Sequence, residues 1–140
     1  MRKISILIAV CMLVGIALNV VAQQTDLDAA MKEIGATYGP LRMKVDAMDA
    51  AGVAADAAKL QARFTEAESF FTAKKLADGA MWAGEAKAAA AALVKAAKAT
   101  PFDAAAAGTA YGTVGKNCKG CHGIYRQQDP ATKAFSFKAP

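Results

Sequence analysis

Apolar residues recur through the middle of this chain at alternating steps of three and four, the spacing that lines one face of a helix. Leu27, Met31, Ile34, Tyr38, Leu41, Val45 and Met48 follow that spacing and predict a helix from about Asp26 to Ala50. Thr25 or Asp26 stands where an N-cap is needed. Pro40 lies inside the pattern and predicts a kink after Tyr38-Gly39, and Gly52 is expected to end the element. Val53, Ala57, Leu60, Phe64, Ala67 and Phe71 predict a second helix from about Val53 to Phe71. Trp82, Ala86, Ala89, Leu93 and Ala96 predict a third, starting after Asp78-Gly79 and stopped by Thr100-Pro101. Tyr111, Val114, Cys118, Cys121 and Tyr125 predict a fourth, from about Phe102-Asp103 to Arg126. Past about residue 127 the chain holds Pro130 and Pro140, and an irregular tail is expected. No stretch sustains the alternation of a strand.

Four helices on short links predict an all-α fold, an antiparallel four-helix bundle running up-down-up-down. Such bundles seat cofactors between facing helices. The chain is rich in alanine, which lets helices approach closely but leaves little side-chain volume to fill a core. A bulky planar ligand would supply that volume.

The pattern differs at the start of the chain. Met1-Arg2-Lys3 is basic, Ile4 to Leu18 is almost wholly apolar, and Asn19-Val20-Val21-Ala22 precedes a polar Gln23-Gln24. That order reads as a secretory signal peptide over residues 1–22. A spanning helix needs ~20 apolar residues, more than this run offers. The expectation is a periplasmic protein whose mature domain is residues 23–140, with no stable membrane span after processing. Cys11 leaves with the signal.

Charge narrows the field further. The chain has 17 basic and 12 acidic residues, a net charge of +5. Two of the basic residues, Arg2 and Lys3, belong to the signal, and the remaining lysines are mostly scattered singly. Scattered lysines on helices are a solvated face, so no nucleic-acid partner is expected.

The candidate chemistry lies in Cys118-Lys119-Gly120-Cys121-His122. Two cysteines cannot build a disulfide framework, and the chain offers no βαβ setting for a redox dithiol. A closed zinc site needs four ligands, one more than these residues supply. C-x-x-C-H is instead the attachment signature of c-type haem. Residues three apart share a helix face, so both sulfurs reach the two vinyl groups, and the next residue offers its imidazole to the iron. One covalent haem c is therefore expected, held by Cys118 and Cys121, with His122 as proximal ligand.

His122 is the only histidine in the chain, so the sixth position takes methionine, another weak ligand, water or nothing. Met31 is the candidate, because the start of the first helix lies beside the end of the fourth in an antiparallel bundle. Met48 is four turns too far along, Met43 is off the stripe, and Met81 is on another helix. Met31 either ligates the iron or fills the core beside it. Trp82, Phe64, Phe71 and Tyr111 are read as core residues that could also touch a porphyrin. Tyr125 lies near the haem edge or faces solvent. The single histidine is committed, no acid–base constellation is present, and no enzyme activity is expected.

With its motif at the end of a four-helix bundle, the chain resembles the class II cytochromes c, the cytochrome c′ proteins and their low-spin Met/His relatives. The resemblance runs from about Leu27 to Arg126 and is strongest in Tyr111 to Arg126, whose Cys-Lys-x-Cys-His-x-x-Tyr-Arg ending looks like that family's haem helix. It implies that Arg126 is the basic residue beside the proximal imidazole; read by itself, Arg126 is a solvated helix-end cation. It also implies that Met31-Lys32-Glu33-Ile34-Gly35 is the distal segment. Leu27 departs from the family, which commonly places an arginine there near a haem propionate. Homodimers through the first two helices are frequent in the family.

The expected function is one-electron transfer with redox partner proteins, His122 and Met31 being the axial ligands. The alternative is a five-coordinate haem that binds nitric oxide or carbon monoxide. A third reading makes the chain a haem subunit of a larger respiratory complex, docked by its tail.

Overall fold

The computed structural model describes residues 26–138. The expected signal peptide, its boundary at residue 22, Cys11 and a cap at Thr25 lie outside the described residues. Four helices account for most of the rest: α1 over residues 26–46, α2 Ala50–Ala73, α3 Ala77–Lys98 and α4 Ala104–Tyr125. The links between them are short turns, so consecutive helices double back on each other.

The packing follows that alternation. One end of the core joins Leu41 and Val45 of α1 to Val53 and Ala57 of α2, Leu93 and Ala96 of α3, and Ala107 and Ala110 of α4. The other end joins Leu27 of α1 to Phe70 and Phe71 of α2, Ala83 of α3, and Cys121 and Tyr125 of α4. The start of α1 thus meets the end of α2, the start of α3 and the end of α4. This is the expected antiparallel bundle.

Local chemistry sets the boundaries. The Asp49 carboxylate accepts the Gly52 N–H at 2.9 Å and caps α2, and Asp103 does the same for Ala106 and α4 at 2.9 Å. Gly52 therefore belongs to the first turn of α2 and does not end α1. A Cβ there would lie 2.1 Å from the Asp49 carboxylate, which explains the glycine. The first helix ends at residue 46 in a turn, where the Asp49 N–H reaches the Lys44 carbonyl at 2.9 Å and Met48 takes a φ of 52°. Met48, expected on the inner stripe, is consequently exposed. The helix runs on through Pro40.

All six residues of the predicted α2 stripe are buried. On α4 the stripe is turned slightly: Ala107, Ala110, Val114, Asn117, Cys121 and Tyr125 are buried, while Tyr111 and Cys118 are only half-buried. A polar residue also enters the core on α2, where Asp56 accepts a hydrogen bond from Lys44 of α1 at 2.5 Å. That pair ties α1 to α2.

The tail is not irregular. Arg126–Gln128 and Phe135–Phe137 form β1 and β2, an antiparallel hairpin in which Arg126 pairs with Phe137 and Gln128 with Phe135. Phe137 secures it, with its ring 5.3 Å from Phe70 and stacked on Tyr125 at 6.0 Å. Three buried aromatic neighbours outweigh the turn-forming composition of the intervening loop.

Leu93 is fully buried in a core cluster rich in alanine. Side chains that short are poorly placed to close over the lost isopropyl group. Leu93→Ala is expected to cost about 2–5 kcal/mol, read as a lower urea midpoint with an unchanged slope.

Candidate haem site

A cleft of about 160 Å³ opens beside the C-terminal half of α4, and all four helices line it. From α4 come Asn117, Cys118, Cys121 and His122. Opposite them α1 contributes Met31, Ile34, Gly35 and Tyr38. Phe64, Ala67 and Phe71 of α2 and Trp82, Ala83 and Ala86 of α3 complete the walls. The lining is almost entirely apolar.

The motif residues meet here because of helix geometry. Cys118 and Cys121 are one turn apart on one face, and His122 follows on its edge. Both cysteines are free thiols. Burial raises the pKa of the Cys118 thiol; burial, with Cys118 and Asp78 nearby, pushes Cys121 up to about 11. Both are protonated at neutral pH. His122 is shifted the other way, first by burial and then by the Arg126 charge, so its imidazole is held neutral. Neutral imidazole is the form that ligates a metal.

Close approaches shape the walls. A Cβ at Gly120, inside the motif, would lie 2.9 Å from the Trp82 indole nitrogen, so glycine there lets α3 press against α4. A Cβ at Gly79 would lie 2.4 Å from the Phe71 ring. Tyr38 stacks on Tyr111 at 4.4 Å, nearly parallel, and donates its hydroxyl proton to the Tyr111 carbonyl at 3.1 Å. Tyr38, read from the sequence with Gly39-Pro40 as a kink, is thus a wall residue.

Of the predicted site residues, the structure brings Met31, Cys118, Cys121 and His122 to one cleft. Arg126 is outside it. Its guanidinium lies 4.3 Å over the Phe135 ring in the hairpin, yet its charge still reaches His122. Met43, Met48 and Met81 are exposed. Leu27 is buried in the apolar cluster and offers nothing to a propionate. Asn117 escapes the periodicity: it is buried, with its amide donating to the Thr113 carbonyl at 3.1 Å. Its polarity hides it from an apolar-stripe reading, although its place next to Cys118 marks it.

Tyr125 is buried and donates its hydroxyl proton to the Asp78 carboxylate, tying the end of α4 to the start of α3. That bond raises Tyr125 to about 12 and lowers Asp78. The lowered carboxylate stabilises above the ordinary acid range, and its contribution fades as pH falls through its native pKa. The raised phenol stabilises below about pH 10 and its share is lost as pH rises through about 12. Tyr125→Phe should therefore melt below the parent across the neutral range. The gap should close at both extremes of a pH series of thermal melts.

The donor set fits a c-type haem: two adjacent thiols and a neutral imidazole on one helix, facing a methionine across an apolar cleft. Fold and site together define a helical-bundle haem protein. A family model described as Cytochrome C' matches residues 20–126, and the chain belongs to the cytochrome c′ family. It is accordingly a c-type haem protein, of a family that binds haem c and is often dimeric. No curated protein and no solved structure matches the chain. No helix among the described residues is long and apolar enough to cross a membrane.

Proposed function

We propose that the chain is a periplasmic one-electron carrier with a single haem, joined by thioethers to Cys118 and Cys121 and ligated by His122 and Met31. The observation that carries this reading is the meeting of Met31 and His122, from opposite helices, in one cleft. The haem, when bound, supplies an iron that cycles by one electron. Cys118 and Cys121 would tether the ring, the neutral His122 imidazole would hold the iron from α4, and the Met31 thioether of α1 would favour its reduced form. Arg126 adds positive charge near the proximal ligand.

Export rests on the basic start and apolar run of residues 1–22, with residues 23–140 as the mature domain. A homodimer through α1 and α2 would follow the family, which is often dimeric. The rival reading is gas binding at an open iron, since the family is known for gas ligands.

The deciding experiment is an absorption spectrum of the ferrous protein before and after carbon monoxide. A sharp low-spin spectrum unaffected by the gas supports the carrier. A broad high-spin spectrum that shifts on gas addition would replace it with the gas-binding reading.

A further inference from the structure

Charge is unevenly distributed along the folded chain. Residues 26–115 carry ten basic and eleven acidic side chains, whereas residues 116–138 carry five basic ones and a single acid. Lys116 and Lys119 are exposed and share the outer face of α4. Arg126 opens the hairpin. Lys138 is held beside the end of α4, its N–H donating to the Tyr125 carbonyl at 2.8 Å, and Lys133 lies in the loop between the strands.

Among the described residues none of these five joins an ion pair, whereas five of the ten basic residues of the bundle body (Arg42, Lys44, Lys59, Arg63 and Lys87) do. The lone acid, Asp129, is used locally. Its carboxylate accepts the N–H groups of Ala131 and Thr132 at 2.9 and 2.7 Å and shapes the turn. The positive charge at this end is therefore free to act outward.

The same end exposes large apolar side chains, Ile124 and, in the hairpin, Phe135. All of the hairpin but its first residue, Arg126, lies past the end of the family match. It is braced against the site: Phe137 stacks on Tyr125, whose ring is 5.0 Å from Phe71 in the cleft wall.

We infer that the end of α4 and the hairpin form a docking surface for an acidic redox protein, with exposed Phe135 at its centre and Arg126, Lys133 and Lys138 around it. This rests on the electron-transfer reading. An apolar centre within a charged rim is the usual anatomy of a protein interface. An excess of positive charge on the hairpin orients the encounter and raises its rate. The surface begins within four residues of His122, which keeps the electron's path short.

The test uses the haem-loaded protein and a reduced, acidic plant-type ferredoxin as probe. One electron passes from the iron–sulfur cluster to the ferric haem, with no bond or proton transferred, and stopped-flow absorbance reads the second-order rate. Lys133→Glu with Lys138→Glu is compared with Lys95→Glu and Lys98→Glu, an equal charge change at the far end of α3. At low salt the hairpin pair should slow the reaction about tenfold or more, the α3 pair far less, and added salt should erase the difference. Equal slowing by both pairs, or none by either, overturns the docking surface. Hairpin-dependent binding to phosphatidylserine vesicles, with unchanged ferredoxin rates, overturns it in favour of a membrane partner. A haem that dithionite reduces but ferredoxin does not overturns the electron-transfer reading itself.

Discussion

The double substitution Cys118→Ala, Cys121→Ala is expected to abolish covalent haem, leaving no haem-stained band on a denaturing gel. Each thioether forms when a thiol adds across a vinyl group, and these are the only two cysteines among the described residues. Either single variant should keep the stain through the remaining bond, with the shifted pyridine haemochrome spectrum of a haem that retains one vinyl. The loss reaches the fold as well. The cleft has walls from all four helices, so a tethered ring stabilises the native state and not the unfolded chain. The double variant should melt well below the parent, even though alanine itself opens only a small space at Cys121. A stained band from the double variant would refute attachment at this motif.

The second large effect concerns Met31. Met31→Ala is expected to turn a low-spin ferrous spectrum into a high-spin one and to open the iron to carbon monoxide. Met31→Leu separates the two roles of this side chain, since leucine fills a similar volume without a sulfur. If the thioether ligates, both variants become high-spin, and the leucine variant admits the gas more slowly because its bulk still crowds the face. If Met31 only fills space, Met31→Leu behaves like the parent and only the alanine variant changes. Both side chains are compatible with a helix interior, so neither outcome hinges on α1 unfolding.

Much of this site is legible in the amino-acid sequence because its chemistry is local. C-x-x-C-H places two sulfurs and an imidazole within one helical turn, whatever the rest of the chain does. The pairing of Met31 with that motif is also legible, since short links force antiparallel neighbours and so put the start of α1 beside the end of α4. Asn117 and Tyr38 are not legible in this way. Asn117 looks like a solvent-side residue, and Tyr38 beside Gly39-Pro40 looks like part of a break. Their roles depend on partners elsewhere, for Tyr38 the ring and carbonyl of Tyr111, 73 residues away.

By itself, then, the sequence determined the four helices, their antiparallel order, the core stripe of α2 and the placing of Cys118, Cys121 and His122 within one helical turn. Each follows from spacing within a helix or from the length of a link. Only tertiary structure decided which neighbour on a stripe turns fully inward. On α4 it chose Asn117 over Cys118, leaving the first thiol at the cleft edge, and it left Trp82 half-buried against Gly120. It also put Met48 in a left-handed turn and folded the tail into a hairpin. Periodicity fixes a helix face only to within one residue, and the helices packed against it settle the rest. The hairpin depends on Phe137 meeting Phe70, Phe71 and Tyr125, contacts that exist only once the bundle has formed.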